Sequence, residues 1–196
     1  MKRIILASNS PRRQELLRGL DLEFTVDTRN TFEESLEPGV PAHLVPVHMS
    51  EGKSHGFHRP LDDDEVLITA DTVVIVPSVH EEGRDAAVLG KPHSPEEAEE
   101  MLRMLSGRTH EVVTAVTIRS NGRELTFSDS TAVTFAALED SEIDYYIAHY
   151  RPFDKAGAYG IQEWIGLAAI ERIEGSYFNV VGFPVQRVWA ELKRFL

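Results

Sequence analysis

The sequence predicts an α/β protein, with a mixed sheet flanked by helices. Three observations carry that reading. Candidate strands and helices alternate along the 196 residues. Val66 to Val76 reads Val-Leu-Ile-Thr-Ala-Asp-Thr-Val-Val-Ile-Val, apolar on both faces except at its centre, as a buried central strand requires. Asn121-Gly122 separates His110 to Arg119 from Leu125 to Phe135 and predicts one hairpin within the alternation.

Each element has a local cause. Ile4-Ile5-Leu6-Ala7 is a short apolar strand that meets a turn at Ser8-Asn9-Ser10. Ser10 is a good N-cap and Pro11 suits the first helical position, so a helix starts there and runs through Gln14-Glu15-Leu16-Leu17. Pro38 to Pro46 and His80 to Asp85 read as mobile loops. A helix over Ala42 to Ser54 is suggested but weakened by Gly52 and Gly56. Ser94-Pro95-Glu96-Glu97 opens a helix with a capping box; Ala98, Met101, Leu102 and Leu105 give it an apolar face, and Ser106-Gly107 ends it. Ser141 is expected to cap a short helix through about His149. Asp154 to Gln162 reads as a glycine-containing loop, Leu167 to Ile173 as a strand, and Pro184 to Leu196 as an amphipathic terminal helix.

Composition narrows the function classes. The chain is 42% hydrophobic, enough for one large domain with a real core. It has no cysteine, which excludes disulfides and thiolate metal sites and favours a cytoplasmic enzyme. No apolar run approaches the ~20 residues of a membrane span, and Ile4 to Ala7 is too short for a signal-peptide core. A net charge of −12 repels nucleic acid and anionic membranes, so neither is expected as a partner. A polyanionic ligand would need a local basic pocket.

Several residues could build one. Arg12 and Arg13 fall in the first turn of a helix, where the dipole disfavours cations by typically ~0.3–1 kcal/mol each. Arginines crowded against free backbone N–H groups make an anion site, although two solvated surface arginines are the plainer reading. Asp71 breaks the apolar strand, and a buried carboxylate is costly unless paired, bound to metal or placed at a site. Lys53, and Lys91 in Gly90-Lys91-Pro92, read singly as solvated charges; with Arg12 and Arg13 they could neutralise a triphosphate. Glu33-Glu34 could supply a metal carboxylate, since Mg²⁺ needs only one or two beside phosphate oxygens and water. In Asp154 to Gln162 the small residues allow close backbone approach, and Gln162 can both donate and accept toward a base. His110, at a strand start, reads as a core or rim residue. Neither a Walker A loop nor a dinucleotide fingerprint occurs.

In order, Ser8 to Leu17, Ala70-Asp71-Thr72-Val73-Val74, Leu89-Gly90-Lys91-Pro92, Leu105 to Val112, Asp154 to Gln162 and Gly175 to Pro184 closely resemble the Maf family of nucleoside triphosphate pyrophosphatases. The resemblance spans essentially the whole chain. It implies a single domain over residues 1–196, elongated, with two inseparable lobes around a cleft as in the inosine triphosphate pyrophosphatases. It implies hydrolysis of a nucleoside triphosphate between the α and β phosphates, with Mg²⁺ or Mn²⁺. Asp71 would be the proton acceptor, although the sequence leaves open whether it is base or metal ligand. Glu34 would be the metal-linked acid, and Ser8, Ser10, Arg12, Arg13, Lys53, Thr72, Lys91 and Gln162 the substrate-binding set. Arg12, Thr72 and Gln162 match the dTTP/UTP subfamily.

Alternatives are another base, such as 7-methyl-GTP, or a non-catalytic nucleotide-binding regulator of septum formation. A homodimer is left open. Two departures stand out. The family commonly has Leu-Ala-x-x-Lys-Ala where this chain reads Met49-Ser50-Glu51-Gly52-Lys53-Ser54, and His80 to Ala87 is longer than the usual hairpin.

Overall fold

The computed structural model describes residues 2–35, 39–77 and 86–196. In chain order its elements are β1 (Arg3–Leu6), α1 (Pro11–Arg18), β2 (Phe24–Val26), α2 (Val45–His55), β3 (Glu65–Val76), β4 (Ala87–Leu89), α3 (Pro95–Leu105), β5 (Thr109–Ser120), β6 (Arg123–Phe135), α4 (Asp140–Tyr150), α5 (Trp164–Ala168), β7 (Ile170–Glu174), α6 (Tyr177–Val181) and α7 (Val185–Leu192). The strands form one sheet in the order β2-β1-β3-β5-β6-β7, with β4 against β3. β1 is parallel to β2 and β3, whereas β4 is antiparallel to β3 and β7 to β6. The sheet is therefore mixed, as the sequence predicts. Among the described residues no helix is long and apolar enough to cross a membrane.

The chain divides into two compact units. The first comprises Met1–Asp71, Thr114–Asp129 and Gly182–Leu196. Leu6, Leu17, Ile68, Phe183, Val188 and Leu192 are fully buried in its core. The second comprises Thr72–Val113 and Ser130–Val181. There α3 turns Ala98, Met101, Leu102 and Leu105 onto Val74, Val112 and Val133. Burying such a side chain is worth ~1.5–3 kcal/mol relative to leaving it exposed, which explains why the apolar stripe of α3 was legible. β3 passes from the first unit to the second between Asp71 and Thr72.

The differences from expectation have local reasons. Glu139, not Ser141, is the N-cap of α4, and its backbone N–H donates to Glu142 Oε2 at 2.8 Å. In α3, Ser94 Oγ accepts from Glu97 N as expected, but the Glu97 carboxylate accepts from His93 N, one residue before the cap. The strand expected from Leu167 begins at Ile170, because Trp164–Ala168 form a short helix. Gly166 lets that turn close on Ile161, where a Cβ would stand 1.7 Å from the carbonyl oxygen. The terminal helix spans only Val185–Leu192. β2, β4 and α6 were not anticipated. The loop expected at His80 to Asp85 lies outside the described residues, as does Pro38. The remainder of Pro38 to Pro46 carries a 3₁₀ turn at Ala42–Leu44 and the start of α2.

His110 belongs to the core of the second unit, at 1% exposure. Its Nε2 lies 2.8 Å from Tyr159 Oη, while Nδ1 has no hydrogen-bond partner. Phe135 and Tyr159 pack edge-on at 5.1 and 5.4 Å. Burial pushes the imidazole down from 6.5 to about 4. Between those values the unfolded chain binds the extra proton. Stability is therefore complete above pH 6.5 and falls as pH drops toward 4, by on the order of 3 kcal/mol. Thermal melts from about pH 7 to pH 4.5 should show this decline, and His110→Gln should remove most of it. An equal decline in the variant would assign the effect elsewhere.

Candidate active site

Seven of the expected site residues lie in the first unit. The β1–β3 ladder, with Leu6 opposite Ile68, continues through Ala7 N donating to Ile68 O at 2.9 Å. It therefore delivers Ser8 and the start of α1 to the level of Ala70-Asp71. Ser8 is buried, and its Oγ accepts from Ser10 N at 3.3 Å. Ser10 caps α1 as the sequence predicts, accepting from Arg13 N at 3.4 Å. No acidic residue occupies the first turn of α1.

Arg13 folds back over that turn. Its Nε donates to Gly182 O at 2.9 Å, and Nη1 donates to Ala70 O at 2.8 Å and Ser8 Oγ at 3.4 Å. Burial pushes the guanidinium below its ordinary pKa; Asp71 and Glu34 raise it, and neighbouring Arg12 lowers it further. These charges act on one another within the unit. The two carbonyl contacts fix the Arg13 head in place.

Asp71 and Glu34 converge on Lys53. The Lys53 ammonium donates to Asp71 Oδ1 at 2.7 Å and reaches Glu34 Oε1 at 3.0 Å. The Lys53 and Asp71 side chains are only 19% and 17% exposed, whereas Glu34 is 61% exposed. Water screens the Lys53–Asp71 pair less than a surface pair.

The departures in α2 explain how Lys53 is held. Ser50 and Ser54, where the family pattern has alanine, are fully buried. Ser50 Oγ lies 2.8 Å from Thr117 Oγ1, and Thr69 Oγ1 donates to Ser50 O at 2.8 Å. Arg119 Nε donates to Ser54 Oγ at 2.9 Å. These bonds clamp α2 to β3 and β5. Gly52 and Gly56 do not abolish the helix; they admit the segment that carries Glu34. A Cβ on Gly52 would stand 2.3 Å from the Phe32 ring, and one on Gly56 would stand 2.4 Å from Asn30 Oδ1.

Asn30, which sequence reasoning missed, ties that segment down. Its Nδ2 donates to Lys53 O at 2.6 Å, and its Oδ1 accepts from Phe32 N at 2.7 Å. Thr31 N also donates to Gly56 O at 2.8 Å. The available signal was the pair of glycines four residues apart on one helix face, which implies close approach by another segment.

In the second unit, three further motifs meet at Gly157. It adopts a φ of 68°, its N–H donates to Gly90 O at 3.0 Å, and a Cβ would stand 2.7 Å from Val74 Cγ2. This joins the Asp154–Gln162 loop to the Lys91 turn and to the part of β3 that follows Asp71. Lys91 and Gln162 are exposed and Thr72 is half-buried. Lys155, buried and also missed, braces the loop by reaching Glu163 Oε1 at 3.0 Å and Asp154 Oδ1 at 2.7 Å. Tyr146 donates to Glu163 and accepts from Gly160 N. Burial and the Glu163 carboxylate hold the Tyr146 phenol above its ordinary pKa, so it stays a donor.

Glu34 and Asp71 offer hard oxygen donors already facing one cationic group. Mg²⁺ and Mn²⁺ accept one or two carboxylates when phosphate oxygens and water complete the shell. The pair therefore fits a divalent ion shared with a phosphate ligand. No group of three or more metal-binding side chains occurs among the described residues.

The first unit thus holds two carboxylates braced by Lys53 and the arginine-bearing start of α1. The chain belongs to the Maf-like protein family, whose model matches residues 3–195. It is 50% identical to a dTTP/UTP pyrophosphatase of Porphyromonas gingivalis, over 98% of this chain and 94% of that one. It is 48% identical to a dTTP/UTP pyrophosphatase of Phocaeicola vulgatus, over 98% and 95% of the two chains. A solved HAM1 protein from Coxiella burnetii aligns over 99% of this chain and 100% of that one, with a TM-score of 0.49 and 16% identity, a likeness too distant to add to the assignment.

Proposed function

We propose that this chain hydrolyses dTTP and UTP between the α and β phosphates, yielding the nucleoside monophosphate and pyrophosphate. The Asp71–Lys53–Glu34 cluster beside Arg13 carries the reading. The names of its relatives support the substrate class.

In this reading Arg12, Arg13 and Lys53 hold the phosphates, and Ser8, Ser10 and the N–H groups of α1 add donors. Lys91 joins the phosphate ligands on its motif, and Thr72 and Gln162 join Arg12 as base readers on theirs. Asp71 takes the proton of the water that attacks the α phosphorus, and its second carboxylate oxygen, with Glu34, would hold Mg²⁺ or Mn²⁺. Bound there, the metal supplies Lewis-acid stabilisation of charge developing on the phosphates. The chain acts as one domain: each unit is assembled from separated segments, so neither can be cut out as one continuous piece. A cytoplasmic setting suits a chain without cysteine.

The test is a panel of dTTP, UTP, CTP and 7-methyl-GTP with Mg²⁺ or Mn²⁺, with pyrophosphate measured separately from phosphate. Pyrophosphate from dTTP and UTP is expected; phosphate alone would sink the proposal. Gln162→Ala should relax the preference among bases more than it slows dTTP turnover. Equal loss on every nucleotide would reduce Gln162 to a loop support.

A further inference from the structure

Resting on the metal-dependent reading above, we propose that the Lys53 ammonium is the chain's own occupant of the cation position, and that a divalent ion enters only by displacing it. Glu34 and Asp71, the two carboxylates offered to a metal, are the two that Lys53 Nζ contacts, at 3.0 Å from Glu34 Oε1 and 2.7 Å from Asp71 Oδ1. A divalent ion on the same carboxylates would lie close to the ammonium. At that range like charges repel strongly, the more so because the site is shielded from water. The two cations exclude each other.

The backbone cannot give way. Asn30 holds the Lys53 carbonyl at 2.6 Å, Arg119 holds Ser54, and Ser50 is tied to Thr69 and Thr117. With its backbone tied, Lys53 moves through its four-carbon stem, and a lysine ammonium is a mobile point charge on such a stem. Once displaced, it needs another anion. The triphosphate is the anion that the proposed reaction brings.

Metal entry and nucleotide binding are therefore coupled. The nucleotide takes the ammonium, the carboxylates are released to the metal, and each ligand raises affinity for the other. Without nucleotide, two carboxylates with an internal cation bind divalent ions weakly. The arrangement keeps the centre from holding a metal before substrate arrives.

The test is Mn²⁺ binding without nucleotide, followed by electron paramagnetic resonance. Lys53→Met should bind Mn²⁺ roughly tenfold more tightly than the parent, within the ordinary range of coupling between sites. Adding Glu34→Gln should remove that gain. Lys53→Met binding Mn²⁺ no more tightly than the parent would overturn the proposal. A second measurement needs no variant: acetylation of Lys53 by acetic anhydride, read by mass spectrometry, without Mg²⁺ and with Mg²⁺ at a concentration shown by competition with Mn²⁺ to fill the parent's site. Displacement predicts faster labelling in Mg²⁺; unchanged or slower labelling would contradict it. Pyrophosphate release from dTTP is assayed separately. A parent that releases pyrophosphate while Lys53→Met gains no Mn²⁺ affinity loses this proposal alone. A parent that releases none, with the gain intact, loses the pyrophosphatase reading alone.

Discussion

Asp71→Asn is expected to give a folded protein that releases pyrophosphate from dTTP roughly 10³-fold more slowly than the parent, in the range typical of losing a general base. The amide keeps the shape of the side chain but cannot take the water proton, and it removes one of two anionic donors to a divalent ion. The fold should survive, because Lys53 keeps its 3.0 Å contact with Glu34 and is not left as an uncompensated charge. A steady-state rate together with a thermal melt checks both halves. A variant with a near-normal rate would remove Asp71 from the chemistry. One that melts far below the parent would make Asp71 a structural residue.

Gly56→Ala should also slow turnover, by much less than Asp71→Asn, while leaving most of the protein folded. Gly56 caps α2 at a φ of −77°, a conformation open to alanine, so backbone strain is not the cause. The added Cβ would meet Asn30 Oδ1 at 2.4 Å, Phe32 Cβ at 2.6 Å and Phe32 N at 2.8 Å. Two of those atoms are fixed by the Asn30 hydrogen bonds to Phe32 N and Lys53 O. The segment must lift, and it takes Glu34 from Lys53 and from the cation position. Overpacking of this kind costs ~1–3 kcal/mol of stability, and the activity loss should reach about tenfold, most of it recovered at high Mg²⁺. Helix propensity points the other way: for a glycine within a helix it forecasts a gain of ~1 kcal/mol on going to alanine. A stabilised, fully active Gly56→Ala would show that the 30–34 segment does not position the site.

These two residues also show what the sequence could reveal. Asp71 was legible because a charge within a β-branched run is locally anomalous. The start of α1 was legible because its capping chemistry lies within four residues, and the structure places Ser10 Oγ on Arg13 N. Gly52 and Gly56 were misread because their reason is not local: it is Phe32 and Asn30, twenty or more positions upstream. Ser50 and Ser54 stand out in the sequence only as departures from the family pattern; in the fold they are buried ties to Thr69, Thr117 and Arg119. β2 and β4 have three residues each, too few to show a period. Lys155 lay inside a recognised loop, but nothing in the spacing said that its ammonium would turn inward to Glu163.

Whether water activated at Asp71 attacks the α phosphorus is decided by turnover of dTTP in ¹⁸O-labelled water. Mass spectrometry of both products locates the new oxygen. Attack at the α phosphorus puts the label in thymidine monophosphate and none in pyrophosphate. Label in pyrophosphate would place the attack on the β phosphorus, and labelled inorganic phosphate with dTDP would place it on the γ phosphorus. Either result would contradict the account.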